Sequence, residues 1–99
     1  MAIAEVKVVP LGTEDTSLSY YVAGCHKVLK KQDQVDYELT PMGTILEGEL
    51  EQIFAIVEKL HEVPFKDGAK RVSTTLSIDD RRDKNGSMEQ KTNSVNDKL

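Results

Sequence analysis

The chain has 99 residues, with 13 lysines and arginines against 17 aspartates and glutamates, a formal net charge of −4 at pH 7. A chain this short supports one modest hydrophobic core, and its acidic balance argues against capture by phosphate backbones or anionic lipid. Neither nucleic acid nor a membrane is therefore an expected partner.

Cys25 is the single cysteine. It excludes an internal disulfide and a Cys-x-x-Cys metal or redox pair, and it points to a reducing, cytoplasmic setting. The segment Met1 to Glu5 lacks the basic-then-apolar pattern of a secretory signal. No apolar run approaches the roughly 20 residues that a bilayer requires.

From Ile3 to Val9, Ala4, Val6 and Val8 alternate with Glu5 and Lys7, which predicts a strand with one buried face. Pro10-Leu11-Gly12-Thr13 is expected to break it, and Glu14 to Ser17 supply helix-entry chemistry. The spacing of Leu18, Tyr21, Val22, Cys25, Val28 and Leu29 then predicts a helix that ends near Lys31. Gly24 is expected to pack closely on the sheet, and Lys27, Lys30 and Lys31 to complement the negative helix end. After Gln32-Asp33-Gln34, the residues Val35, Tyr37 and Leu39 alternate with Asp36, Glu38 and Thr40 as a second strand.

Pro41-Met42-Gly43-Thr44 reads as a turn, and Ile45 to Glu47 as a short third strand. Glu47, Glu49 and Glu51 crowd the start of a second helix, where carboxylates suit the positive end. Its buried stripe is expected at Leu50, Ile53, Phe54, Val57 and Leu60, and Val63-Pro64 is expected to stop it. A fourth strand spans Arg71 to Asp79. Beyond it, Asp79 to Asp83 mixes charges closely, as a self-paired strand end or an ion-pair network between subunits. Met88, Val95 and Leu99 are compatible with a short C-terminal helix that orders by docking.

The order strand, helix, strand, strand, helix, strand is that of an α+β, ferredoxin-like βαββαβ sandwich: a four-stranded antiparallel sheet with two helices on one face, plus the short C-terminal helix. The expectation is one domain over residues 1–99, with its core at 3–80 and a C-terminal segment at 81–99. The uncovered sheet face carries Glu5, Lys7, Glu38, Thr40, Glu47, Ser73 and Thr75 if the alternation holds.

Two tetrapeptides echo each other, Pro10-Leu11-Gly12-Thr13 after the first strand and Pro41-Met42-Gly43-Thr44 after the second. Parallel first and second strands deliver both to one end of the sheet, as a ligand rim or as two ordinary strand exits. With Ser19-x-Tyr21-Val22-Ala23, Tyr37-x-Leu39, Glu47-Gly48, Gly68-x-x-Arg71-Val72 and Ile78-Asp79-x-Arg81, this pattern resembles the thiamine-binding (MTH1187/YkoF-like, UPF0045) family from about residue 3 to residue 82. The resemblance implies a ferredoxin-like fold, a homodimer or homotetramer, binding of thiamine or its hydroxymethylpyrimidine part, and no established catalysis.

Thiamine joins a flat aminopyrimidine to a cationic ring, so its receptor needs an apolar or aromatic wall, fixed donors and acceptors, and a carboxylate. The candidate ligand-binding residues are Leu11, Gly12, Thr13, Ser19, Tyr21, Tyr37, Gly43, Thr44 and Glu47. Thr13 and Thr44 offer hydroxyls to the ring edge. Tyr21 and Tyr37 are walls or core residues, and Glu47 is a ring partner or a helix-start carboxylate.

Other chemistries fit less well. Cys25 and His26 are neighbours about 100° apart on a helix and form no nucleophile and base pair. His26 and His61 lack a third metal ligand at suitable spacing, and isolated Gly12 and Gly43 make no phosphate loop. No catalytic, metal or cofactor residues are therefore assigned. A structural or regulatory homo-oligomer that binds a protein through its polar sheet face remains the alternative, with a small enzyme using Glu47 or a histidine as base behind it.

Overall fold

The computed structural model describes residues 1–12, 19–83 and 95. In chain order the elements are β1 (Ala2–Pro10), α1 (Ser19–Lys30), β2 (Asp36–Thr40), β3 (Gly43–Gly48), α2 (Leu50–Lys66) and β4 (Val72–Asp80). The strands form one antiparallel sheet in the order β2-β3-β1-β4, so the chain is the expected α+β, ferredoxin-like sandwich. The expected C-terminal helix lies outside the described residues except at Val95, whose backbone is helical.

Register explains the two faces of the sheet. Ala4 stands between Leu46 and Ile78, and Val6 between Thr44 and Leu76, so these residues share the side that the helices cover. Ala2, Ala4, Val6, Leu46 and the helical Leu29, Ile53, Ile56 and Leu60 form the buried cluster there. Each fully buried leucine or isoleucine contributes about 1.5–3 kcal/mol. Glu5, Lys7, Glu38, Thr40, Glu47, Ser73 and Thr75 fall on the other face, as the alternation requires, together with Ile3, Val9 and Ile45.

The helical stripes differ from expectation at four positions. Val22 and Phe54 are exposed, whereas Ile56 and Val63 are buried. On α2 the buried series is Ile53, Ile56, Leu60 and Val63, and Phe54 points roughly 100° away from Ile53. Gly24 faces α2 and not the sheet, because a Cβ there would meet Val63 Cγ1 at 2.9 Å.

Proline does not stop α2. Pro64 is buried within the helix, which runs on to Lys66. Proline lacks the N–H that normally reaches the carbonyl four residues back, here Leu60, and the Cys25 thiol donates to that oxygen at 3.9 Å. The helix is closed instead just past Lys66, by Gly68, whose φ is +102°. There the Ala69 N–H donates to Pro64 O at 2.9 Å and the Gly68 N–H to Phe65 O at 3.1 Å, a Schellman closure.

Gln32 fixes the α1–β2 connection with one side chain. Its Nε2 donates to the carbonyls of Leu29 (3.1 Å) and Val35 (2.8 Å), while its Oε1 accepts from the Gln34 and Val35 N–H groups. At the far end of β4, Arg81 pairs with Asp83 at 2.6 Å and Arg82 with Asp80 at 2.9 Å, so the mixed charges pair locally.

Candidate functional site

The two halves of the sheet end at different heights. β1 pairs with β4 along its whole length, from Ala2↔Asp80 to Pro10↔Val72, but with β3 only from Ala2↔Gly48 to Val6↔Thr44. Past Val6, β1 therefore runs beside the tip of the β2–β3 hairpin, and among the described residues no strand pairs with it on that side. Pro10 belongs to β1 and does not break it, because its missing N–H falls on the unpaired side and costs no ladder bond. Leu11 follows, tied to β4 by its N–H donating to Arg71 O at 2.8 Å.

The hairpin turns in two residues, Pro41 and Met42. Thr40 Oγ1 donates to Gly43 O at 2.8 Å and accepts from the Met42 N–H at 3.2 Å. β3 thus begins at Gly43, and Thr44 is a strand residue rather than part of the turn. Gly43 is packed closely enough that a Cβ would stand 3.1 Å from both Lys7 Cγ and the Val6 carbonyl oxygen.

Between the overhang of β1, the hairpin tip and α1 lies a hollow of about 260 Å³ that opens to solvent. Val6 to Val9, Tyr21, Val22, Cys25, Leu60 and the hairpin residues Leu39 to Thr44 line it. The lining is mostly apolar, and Val22, Leu39 and Met42 are exposed at its rim. Burial pushes the Cys25 thiol above its ordinary pKa, and the nearby Asp67 charge adds to the rise, so the thiol is a protonated, weakly polar part of the wall.

Of the residues that the sequence singles out, Tyr21, Gly43 and Thr44 come together in the hollow. Leu11 and Gly12 continue past β1 and are exposed, outside the lining. Thr13 lies outside the described residues, and Ser19 is the first residue of α1. Tyr37 faces the helices, its ring edge-on to His26 at 5.7 Å, and does not line the hollow. Glu47 lies on the opposite face of β3 from Thr44, across from Ile3 and Asp36. It sits in the strand and not at the helix start, where Glu49 and Glu51 are found.

Sequence reasoning missed Val8, Thr40, Met42 and Cys25 as lining residues. Cys25 falls on the apolar stripe of α1, so periodicity alone gives it to the core. A second hollow, of about 490 Å³, lies between α1 and the C-terminal end of α2, with Tyr20, Lys27, Lys31, Lys66 and Asp67 on its walls. Among the described residues no group of three or more histidine, cysteine, aspartate or glutamate side chains could hold a metal ion, and no helix is long and apolar enough to cross a membrane.

A ferredoxin-like sandwich whose first strand overhangs a hairpin to leave a ring-sized hollow defines a small α+β protein suited to holding a compact ligand. The chain belongs to the thiamine-binding protein family, whose family model spans residues 4–96. It is 48% identical to the UPF0045 protein YqgV of Bacillus subtilis, over 100% of this chain and 98% of that one. A UPF0045 protein of Methanothermobacter thermautotrophicus is 47% identical over the full length of both. Among solved structures, MJ1052 of Methanocaldococcus jannaschii superposes with a TM-score of 0.85 at 36% identity, over 96% of this chain and 95% of that one. A Thermotoga maritima protein, TM0486, provisionally assigned to thiamine biosynthesis or salvage, gives a TM-score of 0.76 at 28% identity, over 95% and 97%.

Proposed function

We propose that this protein binds thiamine or its hydroxymethylpyrimidine part without transforming it, in the hollow where β1 outruns the β2–β3 hairpin. The observation that carries the reading is the coincidence of family membership with a mostly apolar hollow that holds Thr44, Tyr21 and Gly43 together. The provisional assignment of the Thermotoga protein to thiamine biosynthesis or salvage supports it.

Drug-sized ligands occupy sites of about 300–1,000 Å³, whereas this hollow measures about 260 Å³ and is open. One ring fits, and the exposed rim of Val22, Leu39 and Met42 calls for a cover. A second copy of the chain supplies that cover in our reading, so the working form is a cytoplasmic homodimer or homotetramer. A protein-binding oligomer is the second reading, favoured by Ile3, Val9 and Ile45 among the polar groups of the uncovered face.

Isothermal titration with thiamine and with hydroxymethylpyrimidine tests the proposal. Saturable heat and a raised melting temperature are expected. The absence of both at millimolar ligand rejects it.

A further inference from the structure

Val8 is the residue at which β1 leaves its partner. In an antiparallel ladder the N–H and C=O of one residue point together to one side, and those of the next residue to the other. Two contacts fix this phase. The Val6 carbonyl oxygen approaches Gly43, 3.1 Å from where a Cβ would stand, so even positions face β3. The Leu11 N–H donates to Arg71 O, so odd positions face β4. Val8 therefore turns both its N–H and its C=O toward the β3 side. Pairing there has already ended at Val6↔Thr44, and the hollow occupies the space beyond. Among the described residues no strand meets this edge.

We propose that the Val8 backbone is the recognition element of the site and that it pairs with a planar heterocycle carrying a ring-nitrogen acceptor beside an exocyclic N–H donor. Such a ring replaces the missing strand residue: its ring nitrogen accepts from the Val8 N–H, and its amino group donates to the Val8 C=O. The inference rests on the ligand reading above and narrows it to the aminopyrimidine end, because a thiazolium ring has no N–H to offer. A peptide strand is the poorer occupant, since it needs a run of paired residues and Pro10, next on the same side, has no N–H. A ring that covers the Val8 N–H and C=O without matching them takes both from water at a cost in free energy, which makes the match selective.

The test uses amide NMR and calorimetry on the full chain with two probes, hydroxymethylpyrimidine and the analogue in which hydrogen replaces the amino group. Hydroxymethylpyrimidine is expected to shift the Val8 amide resonance and slow its hydrogen exchange more than ~10-fold, and the analogue to bind about 5- to 10-fold more weakly, the loss of one hydrogen bond. Binding heat with an unmoved Val8 amide, or equal affinity for the two probes, overturns the proposal. A scalar coupling across a hydrogen bond from the Val8 amide to a backbone carbonyl of a second copy, in the absence of probe, assigns the edge to that copy and also overturns it. No heat from hydroxymethylpyrimidine or thiamine fails the ligand reading itself, and this inference with it.

Discussion

The Cys25 thiol of α1 donates to the Leu60 carbonyl of α2, the one helical acceptor that Pro64 leaves without its N–H. A side chain from the neighbouring helix thus occupies the place of a backbone donor, which lets a buried proline sit inside α2. The bond is long and weak, yet the carbonyl it meets lies beside a core residue, Leu60, that is 1% exposed. Cys25→Ala is expected to lower stability by about 1 kcal/mol. Pro64→Ala restores the N–H of residue 64, so Cys25→Ala made in that background costs less, with a coupling of about 0.5–1 kcal/mol. Urea unfolding of the four proteins measures the cycle, and strictly additive effects reject the substitution of one donor for another.

The same thiol sets an alkaline limit. Burial first, and Asp67 second, raise its pKa in the fold above the unfolded value. As pH rises past about 8.5, the ordinary thiol value, the unfolded chain gives up this proton before the folded one does. Stability from Cys25 is therefore complete below that pH and declines as pH climbs toward the folded pKa. Melting curves should show the decline in the native chain and a smaller one in Cys25→Ala, and thiol-specific reagents should label the folded protein far more slowly than free cysteine near neutral pH. Rapid labelling at neutral pH contradicts this.

At Gly24 two local rules oppose each other. Alanine is favoured over glycine inside a helix by about 1 kcal/mol, but its Cβ would stand 2.9 Å from Val63 Cγ1, on a β-branched side chain that has little rotamer freedom in α2. Overpacking wins in this geometry, and Gly24→Ala is expected to cost about 1–3 kcal/mol. Adding Val63→Ala removes the clash, so the double variant should recover part of the loss. A Gly24→Ala protein with a raised melting temperature would show that the helices move apart freely.

Periodicity made the element order legible, since each strand alternates and each helix repeats at three and four. Polarity assigned the open face correctly from Glu5 to Thr75. What period alone does not carry is who stands across from whom. The length mismatch between β1 and the hairpin is a property of register, so neither the overhang nor Val8 is visible in the string. Pro10 and Pro64 read as stops because proline usually costs a hydrogen bond. At Pro10 the lost donor faces an unpaired side, and at Pro64 a thiol distant in sequence takes the acceptor. Thr44 and Glu47 are both candidate ligand residues in the sequence, one as a hydroxyl and one as a carboxylate, but they stand three steps apart on one strand, and three steps change face.

Gln32 offers a pH-readable test of the α1–β2 connection. Its Nε2 serves two carbonyls and its Oε1 two N–H groups, one of them on Val35, which is 2% exposed. Glutamate keeps the acceptor but sets a carboxylate against the carbonyls of Leu29 and Val35. Gln32→Glu is therefore expected to destabilise by about 2–3 kcal/mol at neutral pH and to regain part of this in acid, where the protonated carboxyl donates again. In linkage terms the introduced carboxyl has a raised folded pKa, so its penalty appears as pH rises through the unfolded pKa toward the folded one. Gln32→Ala should be destabilised without any such recovery. Thermal melts of both variants from acid to neutral pH decide the matter.

Thr44 and Glu47 separate the two faces of β3 as ligand sites. Thr44 lines the hollow and shares a face with Val6 and Leu39, whereas Glu47 stands on the open face across from Ile3 and Asp36. If the ring enters the hollow, Thr44→Val removes a hydroxyl beside it at nearly constant volume and weakens hydroxymethylpyrimidine binding by about 1 kcal/mol, or roughly fivefold. Glu47→Gln then leaves the affinity within about twofold, because no atom of that side chain reaches the hollow. A cation held on the open face gives the reverse pattern, with thiamine affinity falling in Glu47→Gln and unchanged in Thr44→Val. Calorimetry of both variants with both ligands reads the two faces independently, and since neither side chain is fully buried, neither substitution removes a core contact that would confuse lost binding with lost folding.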